Sequence, residues 1–394
     1  MKILAIDLGK YKSVACNYVT ATGTARFATI VTYANEFERL LSQESPDLVV
    51  IETCSIAGWV HDLCCQRGVK CQVANPSSEA WKWKNVKRKT DRDDALKLAQ
   101  LAALEQLPTV YVPAPETRQR RALLKYRQSL ITRRVAIQNH LRAIAQGQGI
   151  LLDRGSRAWT VAGLEAIQQL AKPLEECSAE ELWRGEVALE LLALRAVTKL
   201  LREVEHKLEA FAASNESVKL LRTIPGVGRC TAEVVVAYLD KPQRFENGRQ
   251  VSAYAGLVPK QFQSGETDRQ GRISRRGPSL LRKMLVEAGW VLLRYNPWAQ
   301  RLMQRISRGQ KTRRKQAIVA LAKTVGALLG HVAGQHRMAR TAASHGHRVA
   351  STKREKHTVR RISQPNWPVT WERSASARLT HSEVAEAAES RENE

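Results

Sequence analysis

The spacing of apolar residues changes along this chain, and each change predicts a different kind of structure. Lys2–Asp7 is a strand-length apolar run that ends on an acid, and residues 13–18 and 25–33 read as its antiparallel partners. Residues 36–44 have helical spacing. Leu48-Val49-Val50-Ile51 is a fully buried strand ending at Glu52, 57–67 returns to helix, and Lys70–Ala74 to strand. Thr90 opens a further helix, DRDDALKLAQLAALEQ, which stops before Pro108. Strands and helices alternating in this order predict an α/β domain with a mixed sheet.

The period then becomes helical throughout. In 118–146, Leu123, Tyr126, Leu130, Ile137, Leu141 and Ile144 lie near one face, which Arg133 interrupts. In a second long helix Leu194, Val197, Leu201, Val204, Leu208 and Phe211 recur by threes and fours, the narrow seam of coiled-coil pairing. Such a seam closes equally well on a helix of the same chain or on a second copy. Farther on, LLRTIPGVGRCTAEVVVAYL reads as helix, tight glycine turn, helix. Residues 242–282 are rich in Gly, Ser and Arg, and a helix at 280–294 and a very basic helical run at 298–334 follow. Beyond 334 the hydrophobic content falls away, and 335–394 reads as a disordered charged tail.

Charge narrows the range of partners. The 394 residues are 43% hydrophobic, enough for more than one core. Lysine and arginine number 63 against 38 acidic residues, a net charge of +25. An excess of this size favours a polyanion, because counterion release from phosphates drives binding. Nucleic acid is therefore the expected partner. No apolar run approaches the ~20 residues of a membrane span, and the opening MKILAIDLGKYKSVAC is too short and polar for a signal peptide. The seven scattered cysteines read as reduced thiols in a cytoplasmic protein. His61, Cys64, Cys65 and Cys71 lack the paired C-x-x-C spacing of a zinc knuckle.

Against this basic background, acids stand out. Asp7 and Glu52 end predicted strands, on the sheet edge where ligands of open α/β sheets collect. Asp91 and Asp94, three apart in a helix, project from one face. Four hard oxygen ligands suit two magnesium ions, which activate a nucleophile and stabilise a leaving oxygen in phosphoryl transfer. Each acid also has a structural role open to it. Asp7 suits a strand cap beside Gly9, and acids in a first helical turn complement the dipole. Asp93 pairs with Thr90 as a capping box and is assigned to that.

The C-terminal half holds two further motifs. Pro225-Gly226-Val227-Gly228 between two helices matches a helix-hairpin-helix, in which Gly226 and Gly228 let backbone N–H groups approach a DNA phosphate. Ser264-Gly265 opens a polar loop studded with Arg269, Arg272, Arg275 and Arg276. A positioned serine hydroxyl can attack phosphorus and conserve bond energy in a phosphoserine link, with arginines clamping the phosphate. A turn serine is the alternative for Ser264, and Ser274 shares the arginine-rich segment.

AIDLGKYKS also resembles the first phosphate loop of actin-like ATPases, but the second Asp-Gly loop and Gly-Gly adenosine motif of that class are missing. The motifs together resemble another group: the DEDD-type insertion-sequence transposases of the IS-one-ten group, related to the pilin-gene type of DNA invertase. The residues that carry the likeness are Ala5-Ile6-Asp7, Ile51-Glu52-Thr53, and Lys89-Thr90-Asp91-Arg92-Asp93-Asp94-Ala95. They continue with Ile224-Pro225-Gly226-Val227-Gly228, Tyr254-Ala255-Gly256-Leu257-Val258-Pro259, Ser264-Gly265 and Leu281-Arg282.

The resemblance implies a RuvC-like (RNase H-like) α/β domain over 1–112 and a helical coiled-coil region over 113–215. A mainly α transposase domain with a helix-hairpin-helix and serine loop would follow over 216–334. It further implies Mg2+, in two ions, on Asp7, Glu52, Asp91 and Asp94, and a phosphoserine on Ser264. A structured non-coding guide RNA would pair with double-stranded donor and target DNA. A homo-oligomer, dimer or tetramer, is expected because strand exchange holds several cuts together. The alternatives are a RuvC-like structure-specific junction endonuclease, which needs the acids but no serine, and a non-catalytic DNA-binding protein.

Overall fold

A computed structural model describes residues 1–75, 90–224, 226–264 and 267–345. Met1–Thr341 form one compact unit, and of a second unit, Ala342–Glu394, only the helical residues through His345 are described. Lys89, Pro225 and Gly265 of the motifs above, and most of the charged tail, lie outside the described residues.

The N-terminal sheet is mixed, as the apolar pattern predicts. Strands β1 (Lys2–Asp7), β2 (Lys12–Val19), β3 (Thr24–Val31), β4 (Leu48–Glu52) and β5 (Lys70–Ala74) stand in the order β3-β2-β1-β4-β5. The β1–β2 and β2–β3 pairs are antiparallel, and β1, β4 and β5 run parallel. Alternate residues of a strand serve opposite faces. Leu4 and Ile6 of β1 meet helices α1 (Ala34–Glu44) and α2 (Ala57–Gln66), while Ile3 and Ala5 meet α3 (Asp91–Ala103). The α3 contact is built from Ala95, Leu98, Ala99 and Ala102. Its small side chains let the helix lie close to the sheet, and burial of Leu98 alone contributes about 1.5–3 kcal/mol. The sequence reading carries this helix to Gln106. It ends earlier because Glu105 adopts a left-handed φ of 55°.

The two long helices are α4 (Pro115–Gly147) and α6 (Leu182–Ala213), and they pair with each other. Arg127 of α4 meets Glu205 of α6 at 2.6 Å and His140 meets Glu190 at 3.0 Å, so the helices run antiparallel. Leu141 and Ile144 pack on Val187, Leu191 and Leu194. Much of the predicted seam thus closes within one chain, although Tyr126 is 40% exposed and Arg133 points to solvent. The stretch between them forms a short helix, α5 (Val161–Leu170), whose Ile167 joins this cluster.

The C-terminal domain gathers α7 (Glu216–Arg222), α8 (Arg229–Leu239), α9 (Gly248–Tyr254), α10 (Ser279–Tyr295), α11 (Pro297–Ser307) and α12 (Arg314–His345). All but the last residues of α12 fall in the first unit, and one apolar core there includes Leu221, Leu239, Leu281, Leu285 and Leu321. Two expectations are corrected. The final helix runs on to His345, beyond the boundary set at 334. The expected serine loop is a two-stranded hairpin, β6 (Pro259–Ser264) and β7 (Thr267–Ile273). The polar run hides it, because a strand exposed on both faces has no apolar alternation to detect.

The segment leaving the sheet is tied to the C-terminal core. Tyr111 Oη donates to Asp240 at 2.6 Å and Thr117 Oγ1 donates to the same carboxylate at 3.2 Å. Arg121 donates to the carbonyls of Ala237 and Tyr238 at 2.8 and 3.0 Å. On α8, Glu233 is 5% exposed and its carboxylate accepts no hydrogen bond, with Arg229 3.8 Å away. Burial pushes the Glu233 carboxyl above its ordinary value despite the pull of Arg229, Arg127 and Arg120. A raised value in the folded chain gives a contribution that is greatest below the ordinary glutamate range and is lost as pH rises through the folded-state value. Glu233→Gln is therefore expected to raise the thermal midpoint at about pH 8 by roughly 1–2 °C, as one unsatisfied buried group of about 1 kcal/mol implies for a unit of this size. The gain should vanish near the ordinary value of 4.5, which melts at both pH values would check.

Candidate active site

Asp7 and Glu52 come together through strand register. Ile6 pairs with Ile51 in the parallel β1–β4 ladder, so Asp7 and Glu52 are the next residues on adjacent strands. Alternation puts Asp7 on the face of Ile3 and Ala5, and Glu52 on the face of Leu48 and Val50, which is the face α3 covers. The ends of both strands are held by the turns that follow. Gly9 must be glycine, since an added Cβ would stand 2.1 Å from the Lys12 carbonyl oxygen. Thr32 Oγ1 donates to the Gly9 carbonyl at 2.9 Å. On the other strand, Thr53 donates to the Ala74 carbonyl from both its N–H and its hydroxyl, at 3.1 and 2.9 Å.

Helix α3, which covers this face, carries the other two acids in its first turn. Thr90 caps it, its hydroxyl accepting from the Asp93 N–H at 3.3 Å while Asp93 Oδ2 accepts from the Thr90 N–H at 3.0 Å. Asp93 is the capping residue, as the sequence reading assigns it. Asp94 is 8% exposed and Asp91 is exposed. The Arg92 guanidinium lies 5.7 Å from the centroid of Phe27, which is paired through Cys16 to Ala5, two positions before Asp7. The first turn of α3 therefore sits over the half of the sheet where β1 ends. Hard carboxylate oxygens are the donors a magnesium ion prefers. Among the described residues, however, no three His, Cys, Asp or Glu side chains converge as a ligating set.

Of the glycine turn, Gly226 has a left-handed φ of 84°, and a Cβ there would stand 3.1 Å from the Leu292 backbone nitrogen. Its missing side chain thus serves the close approach of α10. Gly228, the residue before α8, is exposed, and a Cβ there would meet nothing within 4 Å. It leaves the N-terminus of α8 open to solvent.

Ser264 is exposed at the end of β6, opposite Thr267. Arg269, Arg272, Arg275 and Arg276 are all exposed, the first two on β7 and the others in the turn after it. Ser274 differs from Ser264: its hydroxyl is buried without a hydrogen-bond partner, while its N–H donates to the Val258 carbonyl at 2.7 Å.

Sequence reasoning missed how the hairpin is anchored. Arg282 Nη1 donates to the Ala255 and Arg275 carbonyls at 3.0 and 3.3 Å, and the Arg275 N–H donates to the Gly256 carbonyl at 3.1 Å. Gly256 and Gly277 both have positive φ and let the two turns interlock. A Cβ on Gly277 would stand 2.0 Å from the Tyr254 carbonyl oxygen. The signals were visible as Tyr-Ala-Gly, Arg-Gly-Pro and Leu-Arg, but nothing in their spacing joins them. Gly277→Ala is expected to destabilise the chain by at least ~1–2 kcal/mol from the left-handed backbone alone. Denaturant melts check this, and an unchanged midpoint would mean that the interlock contributes nothing.

Comparison with known proteins matches two stretches of the chain to transposase families. Residues 4–148 match a DEDD-type transposase family, described as Transposase, and residues 218–304 match the Transposase IS116/IS110/IS902 family. The Transposase for insertion sequence element IS1111A of Coxiella burnetii is 28% identical over 302 residues, 75% of this chain and 79% of that protein. The Transposase for insertion sequence element IS1328 of Yersinia enterocolitica is 24% identical over 336 residues, covering 81% of this chain and 92% of the relative. A Pilin gene-inverting protein of Moraxella bovis is 25% identical over 239 residues, 60% of this chain and 63% of its own. Among the described residues no helix is long and apolar enough to cross a membrane. With two transposase families matched in order along more than half of its length, this chain belongs to the IS110 family of insertion-sequence transposases and is an enzyme of DNA recombination.

Proposed function

We propose that the chain cuts and rejoins double-stranded donor and target DNA with two sites, an acidic one on a RuvC-like N-terminal domain and a serine on the C-terminal hairpin. The observation that carries the acidic site is the register that sets Asp7 beside Glu52 on the sheet face that α3 covers. Asp7, Glu52, Asp91 and Asp94 would hold divalent metal, Mg2+ in two ions. When bound, the ions would lower the cost of the charge that develops on entering and leaving oxygens.

Ser264 is the nucleophile of the second site. Its Oγ bonds to phosphorus as the bond from phosphorus to a deoxyribose oxygen breaks. The proton given up by the serine balances the one gained by the leaving hydroxyl. A DNA hydroxyl reverses the step in rejoining, so no external energy source is consumed. Exposed Ser264, rather than Ser274 with its buried hydroxyl, has the access this step needs. Arg269, Arg272, Arg275 and Arg276 bind phosphate, and Gly228, at the open end of α8, offers backbone N–H groups to another.

A structured non-coding RNA supplies sequence choice by pairing with both DNAs, which gives the charge of +25 two polyanions to serve. The working form is a homo-oligomer, and the exposed Leu189, Leu192 and Leu200 of α6 give it an apolar face. Amplification across a rejoined junction, in cells carrying the gene with its native flanking DNA, tests this function. Wild type should yield the junction. Broken ends without a junction would assign the chain to structure-specific cleavage instead.

A further inference from the structure

The β6–β7 hairpin is locked at its base but carries no core of its own. Every residue of β6 is exposed, and in β7 only Ile273, at the base, is partly covered. A two-stranded ribbon of this kind is marginal in water without something to lie against.

Its two faces differ in chemistry. Phe262 pairs with Arg269 and Ser264 with Thr267, which puts these four on one face. Gln263 and Asp268 occupy the other, where Gln261 donates to Asp268 at 3.1 Å. Gly271 extends the first face. A Cβ there would stand 3.0 Å from the Phe262 ring and 3.7 Å from Lys260 Cβ. The ring is 60% exposed, and a hollow of about 620 Å³ runs along it, lined in part by Ser264, Thr267 and Arg269. An exposed aromatic ring flanked by cations is the arrangement by which proteins hold unpaired nucleic acid, with stacking on the base and charge on the backbone.

We propose that this face is a platform for one unpaired DNA base beside the cleaved phosphate. Phe262 stacks on the base, Lys260 and Arg269 hold the flanking phosphates, and the strand is thereby placed for Ser264. Phe262 is a positioning residue, and the proposal rests on the reading of Ser264 as nucleophile. DNA is favoured over RNA because the ring and the serine share a face and the enzyme recombines DNA. The ring has a second role, covering Gly271, which a leucine would preserve.

The test uses the full chain and a single-stranded DNA oligonucleotide carrying the fluorescent adenine analogue 2-aminopurine, whose emission is quenched by stacking. Wild type should quench it. Phe262→Leu and Phe262→Ala should bind roughly five- to a hundredfold more weakly and lose the quench, while Phe262→Trp keeps both. Binding to a fully paired duplex of the same sequence should not change among these variants. Wild-type binding and quenching by Phe262→Leu would overturn the platform, as would an equal loss on the duplex. Tighter binding of an RNA strand of the same sequence would overturn it too. Binding is read without cleavage, so a Ser264→Ala chain that still rejoins DNA would remove the serine role while leaving the platform to be judged by its own quench.

Discussion

Asp7→Asn is expected to lower junction formation by at least about a thousandfold and to leave the chain folded. Asparagine matches aspartate in size, so β1 keeps its packing and its turn through Gly9. What disappears is one anionic oxygen donor at a strand end whose neighbour in register is Glu52. Metal ions contribute several kcal/mol to phosphoryl transfer, and each ~1.4 kcal/mol is tenfold in rate. A strand-capping role alone predicts the opposite pattern, with rejoining near normal and a thermal midpoint lowered by the equivalent of about 1 kcal/mol. Quantitative amplification of the junction at matched expression, with a melt of the purified variant, separates the two. Full activity would reduce the acids to structural residues and the chain's own part to holding DNA.

Ser264→Ala is expected to remove rejoined junctions to background, again at least about a thousandfold, because the attacking oxygen itself is removed. The substitution deletes one exposed hydroxyl at the end of β6, where surface changes usually stay within about 0.5 kcal/mol of stability. A denatured gel of protein mixed with labelled DNA gives a second readout. Wild type should carry a covalent DNA adduct, and the alanine variant none. An adduct that persists would move the nucleophile to another residue. Rejoining without any adduct would leave direct attack by water or a DNA hydroxyl at the acidic site, with Ser264 as a turn residue.

The strand ends that carry Asp7 and Glu52, and the helix that carries Asp91 and Asp94, were legible in advance because their signals are local. Asp7 and Glu52 each end an apolar run, and a strand's alternation states which face its last residue joins. Asp93 was assigned to the cap from Thr90 alone, and the hydrogen bonds at 3.0 and 3.3 Å agree. The serine region was legible only as chemistry. Ser264 and the arginines stood out, but the hairpin did not, since its strands bury nothing and so lack periodicity. The packing role of Gly226 was hidden for a related reason. A glycine turn that approaches phosphate and one that approaches a helix backbone read identically until the partner is known, and here the partner is Leu292 of α10.

Local periodicity and end signals are written along the chain, and from them the sequence by itself determined the mixed α/β start, the long helices and the Thr90–Asp93 cap. The tertiary structure decided what depends on residues distant in sequence. It closed the α4–α6 seam inside one chain through Arg127–Glu205 and His140–Glu190, where the heptad pattern allowed either partner. It tied Tyr111 and Thr117 to Asp240 across more than a hundred residues. It also joined Gly256, Gly277 and Arg282 into the base that holds the hairpin. These are contacts of shape and hydrogen bonding between separate segments, and a single chain's order of residues carries no register for them.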